Sequence, residues 1–250
     1  MPAQKLIERL HCLVGLSVDD RTRLANMPNS VRTFADDEHV WREGDRAFHC
    51  AIVMSGFLVG QKIVGGRNQI LSVHVPGDMP DLHMLHLLHM DHDLCSAGPS
   101  TIAFVPHTFL NHLLVDSPTL THAFWRKTLV DAAICRQAVA NLGSRDALAR
   151  VAHFFCELAA RLEVVGLLHE DQFRLPFTQQ NLADVCGLST VHINRTVQEL
   201  RRCGLIEWKA GVVTLFHRDE LACVADFTPE YLHLSEGKRP EIHPLPVDAF

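Results

Sequence analysis

Four histidines recur at every third residue, and they are the side chains of this chain best suited to metal chemistry: His83, His86, His89 and His92. Imidazole nitrogens bind transition metals and haem iron. Residues three apart share a helix face, so a pair such as His83 and His86 could hold a metal. The same spacing rotates by about 60° per step around a helix, so all four cannot face one ion. Partly exposed structural histidines are the interpretation that we favour, and a pH response is a third.

A second polar set lies between Thr178 and Ile206, where the pattern predicts two short helices joined by a tight turn. Thr178 and Ser189 are suited to cap the helices, and Gly187 to end the first one. One side of the second helix is apolar and consists of Ile193, Val197 and Leu200. The opposite side carries Val191, His192, Asn194, Arg195, Gln198 and Arg202. A short polar helix held by a helix and a turn is the geometry that enters a DNA major groove. A helical hairpin inside a core, the alternative, would not leave so polar a face.

Composition limits both interpretations. The chain has 250 residues, enough for two domains, and 47% of them are hydrophobic, which is typical of a globular protein. Its net charge is −6, and the part from Arg145 to Ser235 has nine Lys and Arg against twelve Asp and Glu. DNA binding must therefore rest on the motif and on local charge.

The eight cysteines are scattered without a CxxC pair, which favours reduced cysteines in a cytoplasmic protein. The sequence has no signal peptide and no apolar run of about 18 residues, so we expect no membrane partner. It also has no P-loop, GxSxG or HExxH motif, so we expect no enzyme. A metal-dependent enzyme that uses the Asp and His residues between positions 78 and 93 is the alternative from a different class.

The elements that position these residues differ along the chain. Residues 1–30 predict one or two helices, with a helix start at Ser17. Between Val31 and Pro106, alternating runs broken by glycines predict a small antiparallel roll, with a hairpin at Gly65-Gly66 and a short helix over Asp81–His92. The expected strand segments are His39–Trp41, Cys50–Met54, Phe57–Ile63, Gln69–Val75 and Thr101–Val105.

Ser117 and Pro118 predict the start of a long helix that reaches about Leu142. Its apolar residues do not form one narrow stripe, so we expect one face on the roll and another on a partner subunit. Burial inside a monomer is the alternative. Further expected features are a hinge at Gly143-Ser144, a helix start at Asp146, a wing built from Leu205–Glu207 and Val212–Leu215, a closing helix over Asp219–Ala225 and a mobile tail over Ser235–Phe250.

This order of parts resembles the Crp/Fnr family of bacterial transcription regulators, most specifically over Leu182–Leu205. The resemblance implies an α+β chain with an antiparallel, cyclic-nucleotide-binding-like β-roll sensor, a long dimerisation helix and a C-terminal winged helix-turn-helix. The corresponding divisions are residues 1–116 for the sensor, 117–143 for the helix, 144–234 for the DNA-binding domain and 235–250 for the tail. Double-stranded DNA, RNA polymerase and a second copy of the chain are the implied partners.

The resemblance also assigns roles by position. Base contacts are expected from Thr190, Val191, His192, Asn194 and Arg195, phosphate contacts from Thr178, Gln179, Ser189 and Lys209, and dimer contacts from Leu120, Phe124, Ile134 and Ala138. Val191 departs from the family, which often has a Glu that accepts from cytosine, so apolar contact with a thymine methyl group could replace that contact. An adaptor that has lost DNA contact is disfavoured by the intact Ser189 and Arg195.

The signal received by the roll stays open. Family members that bind cyclic AMP use a Gly-Glu pair and a following Arg, whereas this chain has Gly77-Asp78 near the first position and no Lys or Arg from Asn68 to Trp125. We therefore do not expect cyclic AMP, because a buried phosphate would lack a cation; a phosphate ligand outside the roll, such as a cyclic dinucleotide, stays open. Nor do we expect an N-terminal iron–sulfur cluster, since only Cys12 lies near that end. Two kinds of effector stay open: a neutral or hydrophobic molecule, and a metal or haem. We expect either of them near Met79, Leu82, His83, Leu85 and His86.

Overall fold

The computed structural model describes residues 3–234, which form a β-roll with flanking helices followed by a second mixed domain. The predicted tail over residues 235–250 lies outside the described residues. The first part contains α1 (Gln4–Val14), α2 (Val18–Ala25), β1 (Ser30–Phe34), β2 (His39–Trp41), β3 (His49–Val64), β4 (Arg67–His74), β5 (Asp93–Pro106), α3 (His107–Asp116) and α4 (Pro118–Ser144). Its five strands are all antiparallel, in the order β1-β5-β3-β4, with β2 also paired to β5. The predicted antiparallel roll is confirmed.

The roll curls at an irregularity in β3. The two strands predicted over Cys50–Met54 and Phe57–Ile63 form one long strand whose register shifts on both sides of Ser55. Gly56 has a φ of 80°, and a Cβ there would lie 2.5 Å from the Pro99 carbonyl oxygen. Only glycine fits so close a backbone approach, and such a bulge bends a strand without ending it.

The hairpin between β3 and β4 turns at Gly65 and Gly66, as predicted. Their φ angles are 58° and 76°, in the left-handed region that favours glycine. Two successive left-handed residues match the twist of a two-residue hairpin, which explains the paired glycines. At the N-terminus, Ser17 caps α2 through its hydroxyl, which accepts from the Asp20 backbone N–H at 3.1 Å.

The helix predicted over Asp81–His92 is wrong beyond its first turn. Only Leu82–Leu85 is helical, as a 3-10 turn. Further along, the backbone N–H of Met90 donates to the Asp45 carbonyl at 2.9 Å, and its carbonyl accepts from Gly44 at 2.8 Å. These bonds to the loop before β3 replace the bonds that a helix would need.

The long helix α4 begins one residue after Ser117, whose hydroxyl accepts from the Leu120 N–H at 3.2 Å. It continues through the predicted hinge and ends at Ser144, so Gly143 lies inside the helix. Leu120 and Phe124 are buried against α1, α3 and the roll of their own chain. The prediction that these two side chains contact a partner subunit is therefore wrong, because they are already covered.

The second part contains α5 (Ala147–Val164), β6 (Gln172–Arg174), α6 (Gln179–Cys186), α7 (Thr190–Arg202), β7 (Ile206–Lys209), β8 (Val212–Leu215) and α8 (Arg218–Ala225). Asp146 caps α5, as predicted, and the sheet has the order β6-β8-β7. One hydrophobic cluster joins Phe57 and Val73 of the roll to Phe155 and Leu182 of this part. The two parts therefore share a core, and the proposed division into domains remains a prediction.

Candidate DNA-binding face

The helix–turn–helix geometry comes from three residues that the sequence singles out. Thr178 forms a capping box with Asn181, whose N–H donates to the Thr178 hydroxyl at 3.1 Å. Gly187 follows α6 with a φ of 61°, a conformation that favours glycine. Ser189 then caps α7 by accepting from the His192 N–H at 3.3 Å. These local bonds end the first helix and start the second within three residues.

The two sides of α7 differ as predicted. Ile193, Val197 and Leu200 are buried in the core, which fixes the helix on the domain. On the other side, Val191 is 63% exposed. The other outward residues are exposed as well, namely His192, Asn194, Arg195 and Gln198, whereas Thr190 is half-buried. The expected base-contacting residues therefore lie together on one accessible surface.

The expected phosphate-contacting residues surround that surface. Their side chains, Thr178, Gln179, Ser189 and Lys209, are all exposed. Lys209 ends β7 at the wing turn, where Ala210 and Gly211 have φ angles of 50° and 73°. The wing was predicted as a two-stranded hairpin; sequence reasoning missed β6, which has only three residues and pairs with β8.

Charges next to the recognition surface are partly neutralised. Arg202 makes an ion pair with Glu199 at 2.5 Å, and Arg201 lies 3.8 Å from Glu207. Arg195 has no hydrogen-bond or ion-pair partner within residues 3–234. Its guanidinium is therefore free to bind an external acceptor.

The roll and α5 meet at a buried ion cluster that sequence reasoning missed. Asp78 contacts Arg9 of α1 at 2.8 Å and Arg161 of α5 at 2.9 Å, and all three side chains are buried. Burial alone would raise the pKa of Asp78, but the two guanidinium groups outweigh it and hold that pKa below its usual range. The cations come from 69 residues before and 83 residues after Asp78, so no local pattern could reveal them.

A cavity of about 360 Å³ lies between the roll, α4 and α5. Met79, Leu82 and His83 line it, as expected for an effector pocket, but Leu85 and His86 do not. Other residues that line the cavity were not predicted to do so, among them Thr128, Asp131 and Arg161. Ile134, which was expected at a dimer contact, also lines the cavity. Leu85 packs into the core beside α1 and α3, and His86 is exposed, which removes both from the cavity.

The histidine pair suggested as a metal site does not share a helix face. The 3-10 turn ends at Leu85, so His86 does not continue the helix that carries His83. The imidazole ring next to His83 is that of His92, with ring centroids 6.0 Å apart. Asp91 bonds to His92 at 2.7 Å. Between residues 3 and 234, no three His, Cys, Asp or Glu side chains are arranged to hold a metal ion. None of the helices in that range is long and apolar enough to cross a membrane.

A β-roll, a long helix and a winged helix-turn-helix with an exposed polar recognition surface define a DNA-binding transcription regulator. Residues 149–224 match the profile of the Crp-like helix-turn-helix domain. The transcriptional activator FnrA of Stutzerimonas stutzeri is 24% identical over 216 residues, covering 86% of this chain and 88% of that protein. The nitrogen fixation regulation protein FixK of Azorhizobium caulinodans is 24% identical over 196 residues, covering 77% and 78%.

The solved structure of FixK2 from Bradyrhizobium japonicum has the same fold, with a TM-score of 0.72 at 21% identity over 79% of this chain and 98% of that one. Residues 149–224 thus form a Crp-like helix-turn-helix domain, and over most of its length the chain is similar to transcription regulators of the Crp/Fnr family. That family consists of transcription regulators, so the metal-dependent enzyme considered from the histidine-rich segment is set aside.

Proposed function

We propose that this regulator binds a near-palindromic DNA site as a homodimer and responds to a small molecule received between the roll and α4. The observation that carries the DNA-binding part is the exposed polar side of α7, which includes Arg195, a cation with no partner among residues 3–234. A helix of this kind places its N-terminal residues against base edges in the major groove. RNA polymerase is the further partner that similarity to the family supports.

The side chains of α7 support a division of roles. An arginine such as Arg195 can donate two hydrogen bonds to a guanine, and Val191 can contact a thymine methyl group. Thr190, His192 and Asn194 add donors and acceptors on the same surface. The exposed groups around it, Thr178, Gln179, Ser189 and Lys209, would contact phosphates and fix the register of the protein on the duplex.

An exposed stripe on α4 supports a dimer. Trp125, Leu129 and Val139 are 61%, 55% and 71% exposed although they are large and apolar. With Arg136 they are spaced by four, seven and three residues, the a and d spacing of a coiled coil. This stripe replaces the dimer contacts expected from Leu120, Phe124 and Ile134; the fourth expected residue, Ala138, is half-buried and sits next to the stripe.

The cavity supports the sensing role. Two buried nitrogen atoms of its lining residues, Arg161 Nε and His83 Nε2, have no hydrogen-bond partner within the described part of the chain. The apolar wall includes Met79 and Leu82. A small amphipathic ligand that offers a hydrogen-bond acceptor would satisfy the nitrogen atoms and cover the apolar wall, while it contacts both the long helix and α5.

DNA binding is tested by selecting a preferred site from random duplexes and then measuring Arg195→Ala on that site. We expect a loss of about 1–3 kcal/mol and relaxed preference at one base position, with little change on random DNA. An unselective wild-type protein would contradict the proposed function. An unchanged affinity of Arg195→Ala would contradict the role of that residue alone.

The dimer is tested by sedimentation of Leu129→Asp, since a charge in an apolar seam destabilises a coiled coil. We expect monomers and weak binding to the selected site. Val115→Asp is the matched control, because Val115 is 82% exposed on α3 and does not belong to the stripe. A tight dimer of Leu129→Asp would show that another surface forms the interface.

A further inference from the structure

The second domain uses most of its positive charges internally. Nine Lys and Arg residues lie between positions 145 and 234, and six of them are engaged with acids or backbone carbonyls of the same chain: Arg145, Arg150, Arg161, Arg201, Arg202 and Arg218. The other three, Arg174, Arg195 and Lys209, have neither kind of partner among residues 3–234. All three are exposed.

Two of these uncommitted cations, Arg195 and Lys209, already belong to the proposed DNA-binding face. The third, Arg174, is the last residue of β6. In the wing sheet Arg174 is the partner of Val212, and Val212 is in turn the partner of Lys209. Residues directly opposite one another in neighbouring strands point to the same side of a sheet. Arg174 and Lys209 therefore stand on one side of the wing, with their backbones about 10 Å apart.

The end of the wing that carries this pair includes the wing turn and leads into the helix–turn–helix along the chain. The Leu175 N–H donates to the Gly211 carbonyl at 2.9 Å, so Arg174 lies beside the wing turn. Thr178, which caps α6, follows four residues after Arg174. On the opposite side of the sheet, Phe173 and Val213 are buried, which leaves the side with the two cations as the accessible one.

We infer that Arg174 binds a DNA phosphate and that, together with Lys209, it makes the wing a two-cation clamp on the DNA backbone at the edge of the site. This inference rests on the proposed DNA binding. A domain with more acidic than basic residues cannot attract DNA by its overall charge, so the phosphate contacts that neutralise charge must come from its few uncommitted cations. Because phosphates are the same in every sequence, the clamp contributes affinity without base preference.

The test is the salt dependence of binding by Arg174→Gln, measured on the selected site and on a random duplex of equal length. Each phosphate contact contributes about 0.9 to the slope of log K against log salt, so the slope of a dimeric variant should fall by roughly 1.8. Between 50 and 200 mM salt, the advantage of the wild-type protein should then shrink roughly 12-fold. The affinity loss should be equal on the two duplexes.

Four further measurements make the result specific. Arg42→Gln removes the same charge from an exposed position on the roll and should leave the slope unchanged. Arg174→Lys keeps a cation and should retain the wild-type slope, and the thermal unfolding of Arg174→Gln should match that of the wild-type protein. Phosphate-ethylation interference should weaken at the same phosphates in Arg174→Gln and Lys209→Gln.

The outcomes separate the inference from the proposed function. A wild-type slope for Arg174→Gln, or a loss confined to the selected site, would overturn the clamp while DNA binding stands. A slope reduced equally by Arg42→Gln would also overturn it, since the effect would then come from net charge. Absence of DNA binding by the wild-type protein would overturn both.

Discussion

Arginines do opposite things in two regions of this molecule. At the junction between the roll and α5, Arg9 and Arg161 are buried on either side of Asp78. On the DNA-binding face, Arg174 and Arg195 are exposed and have no partner within residues 3–234. The same side chain thus fixes the structure where it meets an internal acid, and it is left accessible for an external anion where it meets none. Position relative to an acid, rather than residue type, decides the role.

The largest expected effect is at the junction. Arg161→Met should lower the free energy of unfolding by about 3–5 kcal/mol, because it removes one partner of a buried pair and leaves Asp78 with less compensation. Urea unfolding measures the loss. Arg195→Met is the matched control on the other region and should stay within about 0.5 kcal/mol of the wild-type value.

A double variant sharpens that result. Adding Asp78→Asn to Arg161→Met should lower the stability further, because buried Arg9 then loses the carboxylate that it contacts. A loss from Arg161→Met of under 1 kcal/mol would show that Arg9 alone satisfies Asp78, and the contrast between the two regions would then be weaker than described.

The second prediction concerns His153 of α5, which is buried between Phe227 and Tyr231 and bonded to Asn141 at 3.0 Å. Burial, with a smaller contribution from Arg145, lowers the pKa of His153 to about 4, while Asp226 opposes the shift. Below pH 6.5 the imidazole of His153 binds a proton in the unfolded chain but stays neutral in the folded chain until the pH approaches 4. The stability of the folded state therefore falls as the pH falls. The loss should reach about 3 kcal/mol at pH 4.

Unfolding measured between pH 7 and pH 4 checks this slope. His153→Gln should flatten it, whereas His112→Gln, at an exposed position of α3, should leave it unchanged. An equal slope in wild type and His153→Gln would mean that other groups control acid unfolding.

The smallest expected effect is on the DNA-binding face, at a cation that is already paired. Arg202→Ala should change DNA affinity by less than about 0.5 kcal/mol, because Glu199 neutralises Arg202 and an exposed ion pair contributes little. Glu199→Gln should instead raise affinity for random DNA by freeing Arg202. A loss with Arg202→Ala as large as that with Arg195→Ala would show that pairing does not decide which cations bind DNA.

The DNA-binding face was largely predictable because its causes are local. Thr178, Gly187 and Ser189 act on neighbouring backbone groups, and the inward side of α7 follows from a repeat of apolar residues. The roles of individual residues in contact with DNA stay predictions. Arg174 was not singled out, because β6 is too short for a strand pattern and only its pairing with β8 places it beside Lys209.

The junction was not predictable because its partners are distant in sequence. The span without Lys or Arg was interpreted only as a lack of cations for a buried phosphate ligand. The pairing of Asp78 with Arg9 and Arg161, which come from other elements, was not foreseen. Likewise, the apolar residues of α4 indicated more than one contact face without showing which face covers the roll. The spacing of the histidines favoured a helix over Asp81–His92, but the backbone of Met90 forms its hydrogen bonds with Gly44 and Asp45 instead. In each case tertiary contacts override a local pattern.

The core shared by the roll and the second domain also limits how freely the two parts can be exchanged. Phe57 of the roll contacts Phe177, which lies two residues before α6, with ring centroids 6.1 Å apart, and Gly98 faces Pro176. A chimera that joins this second domain to the roll of a relative would leave some of these core side chains exposed or would overpack the core between the two parts. Changes on one side must therefore be matched on the other, so the two halves of this regulator have to evolve, and be engineered, as a pair.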